Sequence, residues 1–141
     1  MRPSVLIFLV ATIGCAGAVE PASLSIDGIV FGPRKHFSGV YFSNFENSRF
    51  TACSSDKDEC RKPAETDEAV LSCIPAACAD IESRIKKLVG SHDKWAEYRI
   101  EFLGRWSLNK TAKRFIGDTE NKAYLEKIEN FRLLKTESVT R

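Results

Sequence analysis

A strict alternation in the second half of the chain limits the possible folds more than any other pattern. Between residues 96 and 102, apolar residues at the even positions alternate with charged residues at the odd positions. Because successive side chains of a strand point to opposite faces, this segment predicts a strand with one buried and one solvated face. Gly104 predicts a bulge in this strand, which continues to Trp106.

Two earlier segments are rich in β-forming residues. Residues 23–31 predict a strand that is interrupted by a turn or a bulge at Asp27-Gly28. Residues 39–53 predict a hairpin, because β-rich runs flank the turn-forming residues 44–48. Val40 and Phe42 are two residues apart and therefore share one face of the first hairpin strand.

One helix is predicted over residues 75–89. Pro75 is a favoured first helical residue, and Gly90 is a favoured C-terminal cap. The apolar face of this helix is marked by residues at spacings of three and four, namely Cys78, Ile81, Ile85 and Leu88.

The segment 119–135 fits two structures. Tyr124, Ile128 and Phe131 have helical spacing, whereas Phe131 and Leu133 flank a charged residue as they would in a strand. The local pattern taken alone favours a helix.

The first 18 residues predict export. Arg2 precedes an apolar run over residues 5–13, and small residues follow, which is the order of a secretory signal. The sequence Ala16-Gly17-Ala18 predicts cleavage before Val19, which leaves residues 19–141 as a single exported domain. The alternative is a lipid anchor at Cys15, which would tether the same domain to a membrane.

No transmembrane helix is expected after cleavage. The apolar run of the signal is shorter than the roughly 20 residues that span a bilayer, and no later segment comes near that length. Removal of residues 1–18 takes away one basic residue and no acidic residue, so 20 basic residues face 19 acidic ones. A net charge this small does not favour a nucleic-acid partner.

Four cysteines remain in the exported domain, and an even number in such a chain favours disulfides over metal binding. They lie in a cysteine-bearing loop at about residues 53–78, of which residues 54–68 are polar. Three pairings are open, and the local one joins Cys53 to Cys60 and Cys73 to Cys78.

No catalytic, cofactor-binding or metal-binding group is predicted. Ser91, His92 and Asp93 are neighbours in sequence, whereas a catalytic triad is assembled from separate segments. His36 and His92 have no third ligand at a suitable spacing.

Ligand contacts are considered at two places. Tyr41, Glu46 and Ser48 lie at the hairpin, where Glu46 and Ser48 either present a carboxylate and a hydroxyl to a ligand or hold the turn through backbone amides. The second place is a face of basic and aromatic side chains that would bind a ligand. The alternative is that its aromatic residues belong to the core and its basic residues form a solvated rim. Its members are Arg99, Arg105, Lys113, Arg114, Arg132, Trp95, Tyr98 and Trp106.

The chain resembles small exported bacterial proteins of uncharacterised function over about residues 38–135. The likeness depends on a glycine before an aromatic-rich strand, a Phe-Glu-x-Ser-x-Phe element, a Gly-Arg pair that ends a later strand, and a Gly-to-Tyr stretch. These are Gly39 with Tyr41, residues 45–50, Gly104-Arg105, and residues 117–124.

The resemblance implies a mainly β fold with one helix. It is a small, partly open five-stranded barrel similar to the OB-fold, with the helix at about residues 75–89 between strands three and four. It also favours a strand over residues 127–134. The sequence departs from the family at the cysteine-bearing loop 54–74 and at residues 118–123, which are polar where the family is rich in glycine. No function is therefore carried over from the second of these loops.

These patterns favour a non-enzymatic module, periplasmic or secreted, that binds an unknown protein or a component of the cell envelope. One alternative is a carbohydrate- or oligonucleotide-binding barrel, which needs Trp95 or Trp106 exposed on a sheet face. Export makes nucleic acid an unfavourable partner. The other alternative is a small hydrolase, which needs a cleft with convergent polar groups near Glu46, His36 or His92.

Overall fold

Residues 21–44, 48–53, 67–90, 94–113 and 119–138 are described by a computed structural model of the chain, in which they form seven strands and one helix. This confirms a mainly β chain with a single helix in the described ranges. In chain order the elements are β1 (Leu24–Ile26), β2 (Ile29–Phe31), β3 (Lys35–Ser43), β4 (Ser48–Ala52), β5 (Glu68–Cys73), α1 (Pro75–Val89), β6 (Lys94–Trp106) and β7 (Lys122–Ser138).

Five strands form a closed ring in the order β3-β4-β5-β7-β6. The resemblance to small exported bacterial proteins implied a partly open arrangement instead. The ring closes because β6 pairs with β3 along one edge and with β7 along the other. The pairing of β5 with β7 is parallel, and the other four pairings are antiparallel.

The helix lies between β5 and β6, not between strands three and four of the chain. The count differs because β1 and β2 precede the ring and form a separate two-stranded sheet. Asp27 and Gly28 make the predicted turn of this hairpin with positive φ angles of 49° and 78°. Three ring strands therefore precede the helix, and two follow it.

The predicted bounds of α1 are confirmed, but one residue of its predicted apolar face is wrong. Gly90 ends the helix with a φ of 77°, and its N–H donates to the carbonyl of Lys86 at 3.0 Å. Leu88 is 45% exposed, because the buried stripe follows a spacing of four. That stripe consists of Ala77, Ile81, Ile85 and Val89.

The helical alternative for residues 119–135 is wrong, since residues 122–138 form β7. This strand pairs with β6 from Ala123 to Ser138, and such pairing overrides a local helical spacing. The register shifts at three places along the pair. One shift lies between Leu103 and Gly104, but its extra residue is Glu126 on β7, so the bulge lies opposite Gly104 and not in β6 as predicted.

Large side chains fill the interior of the ring, and Gly39 makes room for one of them. Phe50, Tyr98, Ile100, Phe102 and Leu125 are fully buried there. A Cβ atom at Gly39 would lie 2.6 Å from the ring of Phe50 and even closer to the carbonyl oxygen of Thr51. The glycine thus allows β3 to approach β4 closely at this point.

A disulfide joins Cys73 at the end of β5 to Cys78 in the first turn of α1, with the two Cα atoms 5.4 Å apart. Cys53 is also disulfide-bonded, but Cys60 lies outside the described residues, so its pairing stays a prediction. Residues 68–78, which belong to the segment predicted as a loop, form β5 and the start of α1.

Candidate functional site

The two faces of the ring strands carry different aromatic residues. On β3, Phe37 and Tyr41 are buried on the inner face, which places Val40 and Phe42 on the outer face. On β6, the even-numbered residues face inward, so Trp106 points into the ring. Its indole lies 5.8 Å from the ring of Phe37, whereas Trp95 lies on the outer face.

Phe42 and Trp95 meet on the outer face in an edge-to-face contact with ring centroids 5.6 Å apart. The Nζ of Lys135 lies 5.0 Å from the centroid of the Trp95 ring. The guanidinium carbon of Arg49 lies 6.0 Å from the centroid of the Phe42 ring. Both distances suit a cation–π interaction. We call these four residues the outer aromatic platform.

The pairing register explains why these residues meet. Arg49 on β4 is opposite Phe42 on β3, which is opposite Glu97 on β6, which is opposite Lys135 on β7. Trp95 lies two residues before Glu97 and so shares its face. Arg49 also contacts the carboxylate of Glu68 at 3.7 Å. The platform therefore lies across four strands, with a cation at each side.

The other end of the same sheet face is built from ion pairs. The Nε of Arg105 donates to Glu126 at 2.8 Å, and the side chains of these residues are only 3% and 10% exposed. Arg34 binds the same carboxylate, and the Nδ1 of His36 lies 2.8 Å from the carboxylate of Glu129. We call these five residues the ion-paired end.

Arg105 also holds the N-terminal hairpin against the ring. Its Nη1 donates to the carbonyl of Gly32 at 3.1 Å and to that of Pro21 at 3.3 Å. The backbone N–H of Gly32 donates to the carbonyl of Trp106 at 2.9 Å. The predicted ligand residue Arg105 is thus committed to contacts within the fold.

Arg99 is buried on the outer face between the two ends. Its Nη2 donates to the hydroxyl of Ser38 at 2.7 Å, and its Nη1 lies 3.2 Å from the sulfur of Cys53. The N–H of Cys53 donates to the carbonyl of Ser38 at 2.9 Å. Arg99 therefore fastens the end of the β3–β4 hairpin to β6.

Two phenols lie inside the ring behind the platform. Burial raises the pKa of Tyr41, and hydrogen bonds with Ser43 and Ser48 oppose that rise. Burial, followed by the nearby Tyr41, raises the pKa of Tyr98 to about 12. Among the described residues, the buried hydroxyl of Tyr98 has no hydrogen-bond partner. Tyr41 is a core residue, and Ser48 begins β4 beside it.

An open groove of about 370 Å³ lies between α1 and β7. Its lining includes the ion pair of Asp80 and Arg84 at 2.8 Å, together with the apolar side chains of Leu88 and Phe131. These residues do not include a nucleophile next to a base, which covalent hydrolysis would need.

Other expectations concern residues outside the described ranges. These are the signal sequence with Cys15, Glu46, Cys60, residues 91–93 and Arg114. Within the described ranges, no group of three or more His, Cys, Asp or Glu side chains could hold a metal ion. No helix of that part of the chain is long and apolar enough to cross a membrane.

No model of a known protein family matches the chain. No curated protein and no solved structure is similar to it either.

Sequence reasoning missed three of the four platform residues: Phe42, Arg49 and Lys135. The shared face of Val40 and Phe42 was visible in the alternation, but the alternation does not say which face is buried. The predicted basic and aromatic face is not formed as a unit, because Tyr98 and Trp106 point inward.

Proposed function

We propose that this chain is an exported, non-enzymatic module that binds a protein or a cell-envelope component through the outer aromatic platform. The observation that carries the proposal is the pairing of Phe42 with Trp95 on the solvent side of the sheet. Both side chains are only half-buried. Tryptophan and arginine are the residues most enriched at the energetic centres of protein interfaces.

The proposal includes an OB-like barrel as the scaffold. The closed strand order, the parallel pairing of β5 with β7, and a helix after the third ring strand support it. Barrels of this kind present a sheet face for binding. A rigid sheet also suits recognition, because its side chains are already in place before the ligand arrives.

Export is the second part of the proposal. The Cys73–Cys78 disulfide supports an oxidising compartment, where such bonds persist. Intact mass of the protein from its native host, with and without a reductant, tests it. Loss of residues 1–18 supports cleavage before Val19, whereas added lipid mass supports anchoring at Cys15. A full-length mass with free thiols would overturn the export proposal.

A binding experiment tests the platform. The exported protein and its Trp95→Ala variant are immobilised and exposed to the envelope and secreted fractions of the source cells. Leu108→Ala is the matched control, because Leu108 is an exposed apolar residue away from the platform. We expect one partner to be retained by wild type and by Leu108→Ala, but not by Trp95→Ala. Equal retention by all three proteins would remove the platform as the site.

A carbohydrate- or oligonucleotide-binding barrel is the second candidate, and the outward position of Trp95 favours it. Such ligands bind by stacking on an aromatic face. Titration with defined oligosaccharides and oligonucleotides separates this candidate from the first. Tryptophan fluorescence is the signal, and the Trp95→Ala variant gives the background from Trp106.

A further inference from the structure

We infer that the disulfide of Cys53 is a reversible redox site, which exchanges with low-molecular-weight thiols and whose reduced form is stabilised by Arg99. The inference goes beyond the proposed function, because it concerns sulfur chemistry and not the binding of a partner to the platform. It follows from the contact between the two side chains, from the burial of the arginine, and from a comparison with the second disulfide.

The sulfur of Cys53 lies beside a buried positive charge. Arg99 is only 6% exposed, and its Nη1 lies 3.2 Å from this sulfur. Two hydrogen bonds fix the arrangement. The Nη2 of Arg99 donates to the hydroxyl of Ser38 at 2.7 Å, and the N–H of Cys53 donates to the carbonyl of Ser38 at 2.9 Å. The guanidinium is therefore already in place when a negative charge forms on the sulfur.

Other charged groups face the same surface. Arg132 on β7 is opposite Arg99, and Glu97 and Glu101 lie two residues before and after Arg99 on β6. Arg99 and Cys53 both have further interactions as well. Arg99 differs from these other charged groups in its contact with the sulfur and in its burial. A charge acts more strongly on a near neighbour when little water lies around the pair.

A neighbouring cation changes the redox equilibrium because it favours one of the two states. Reduction begins when the thiolate of a small thiol attacks the partner sulfur of Cys53. The S–S bond breaks, its electron pair stays on the Cys53 sulfur as a thiolate, and the partner cysteine is left in a mixed disulfide.

A second thiol resolves the mixed disulfide, so two thiols are oxidised to one disulfide while the two cysteines of the protein are reduced. Of the two thiol protons, one goes to the partner cysteine and the other to water. Because Arg99 pairs better with the Cys53 thiolate than with a neutral disulfide sulfur, it favours the reduced state.

The disulfide of Cys73 and Cys78 provides the contrast. The sulfur of Cys78 lies 3.5 Å from the carbonyl oxygen of Cys73, whose partial negative charge disfavours a thiolate there. The first turn of α1 acts on Cys78 in the opposite direction, but through a partial charge only. We therefore expect this disulfide to stay oxidised under conditions in which that of Cys53 is reduced.

A redox titration tests the inference on the exported protein. The protein is equilibrated with reduced and oxidised glutathione at graded ratios, and free thiols are trapped with iodoacetamide. Mass spectrometry of the peptides then reports the reduced fraction of each cysteine. We expect half-reduction of Cys53 at a ratio of squared reduced to oxidised glutathione about tenfold lower than that of Cys73 and Cys78. This factor corresponds to about 30 mV.

Substitutions separate the charge of Arg99 from its hydrogen bonds. Arg99→Gln removes the charge and should shift the half-reduction of Cys53 about tenfold toward more reducing conditions. Arg99→Lys keeps the charge and should shift it less. Lys127→Gln is the matched control, because Lys127 is an exposed cation on β7 whose loss should leave Cys53 unchanged. The half-reduction of Cys73 and Cys78 is the internal reference, and it should stay constant in all three variants.

Three results would overturn the inference. Half-reduction of both disulfides at the same glutathione ratio in the wild type would mean that Cys53 forms an ordinary structural bridge. This comparison needs no variant, so it decides the matter even if circular dichroism shows that Arg99→Gln is unfolded. In a folded Arg99→Gln protein, an unchanged Cys53 would mean that the arginine does not stabilise the thiolate. An equal shift of both disulfides would mean that Arg99 acts on the fold as a whole.

Discussion

The two ends of the outer sheet face use charge in different ways. At the ion-paired end, the guanidinium of Arg105 and the carboxylate of Glu126 are buried together at 2.8 Å, and the same arginine binds backbone carbonyls of the N-terminal segment. At the outer aromatic platform, the cations of Arg49 and Lys135 lie over aromatic rings instead. The two ends share β3, β6 and β7, whereas Arg49 comes from β4 and Arg34 from the segment before β3.

This contrast separates a surface that holds the fold from a surface that is suited to a ligand. Removal of one partner of a buried ion pair strongly destabilises the folded protein, because the remaining charge stays buried without a partner. A cation over a partly exposed ring contributes less, about 0.5–1 kcal/mol. A ligand can therefore displace it at a small cost. Mutation and pH can test whether the two ends differ in this way.

The largest effect is expected from Arg105→Met. This substitution removes the buried partner of the Glu126 carboxylate, so that only the exposed Arg34 still binds it, and it releases the contacts to Gly32 and Pro21. The free energy of unfolding should fall by about 3 kcal/mol, measured by urea denaturation. Lys127→Met, at an exposed residue of the same face, is the control and should cost about 0.5 kcal/mol or less. An equal loss of unfolding free energy in both variants would show that the ion-paired end does not stabilise the fold as described.

Alkaline pH should weaken the interior behind the platform. The pKa of Tyr98 is about 12 in the folded chain, against about 10 for an unfolded tyrosine. Between these values the folded state binds more protons than the unfolded state, so the stability present below pH 10 is lost as the pH rises toward 12. The loss should be about 1.4 kcal/mol per pH unit. The raised pKa of Tyr41 acts in the same direction.

Denaturation over a series of pH values measures this slope, with Tyr98→Phe as the comparison. The variant should show a shallower slope, because one of the two buried phenols is gone. At neutral pH it should be at least as stable as wild type, since it removes a buried hydroxyl that has no partner among the described residues. An unchanged slope would mean that Tyr98 does not cause the loss of stability at alkaline pH.

A smaller effect on stability is expected from Trp95→Ala. The side chain is half-buried, and its loss removes one edge-to-face contact and one cation–π contact. We expect a loss of about 1.5 kcal/mol in the free energy of unfolding, well below that of Arg105→Met. When binding is measured instead of stability, Trp95→Ala should have the larger effect and Arg105→Met the smaller one. A stability loss larger than that of Arg105→Met would mean that the platform is mainly structural.

The smallest effect concerns the exposed pair of His36 and Glu129. Its side chains are 73% and 35% exposed, so water already solvates both groups. A double-mutant cycle with His36→Gln and Glu129→Gln should give a coupling of about 0.5 kcal/mol or less. A larger coupling would show that burial is not what distinguishes Arg105–Glu126 within the ion-paired end.

Several elements could be predicted because their signals are local. Pro75 and Gly90 delimit α1 through fixed backbone preferences, and the alternation over residues 96–102 identifies β6. Gly104 marks a close approach of β6 to β7, since a Cβ atom there would lie 2.8 Å from the ring of Phe102 and even closer to the carbonyl oxygen of Tyr124. The bulge itself lies on β7, opposite this glycine. Each of these features depends on a few neighbouring residues.

Other features depend on contacts between distant segments. Local spacing favours a helix over residues 119–135. The segment forms a strand because β6 offers it a pairing partner along nearly its whole length. Leu88 was assigned to the buried face of α1, although the stripe that packs against the ring continues to Val89. The candidate site depends even more on distant contacts, because its four residues come from four strands.

The sequence by itself therefore determined the main elements: a mainly β chain, one helix with its ends, and the hairpin over residues 39–53. The tertiary structure alone decided that the ring closes, that β5 and β7 run parallel, and that Phe42 and Trp95 point outward. The physical reason is that capping, turns and alternation act over a few residues. The choice of a strand's partner, and of the face that it buries, depends on burial and pairing across the whole ring.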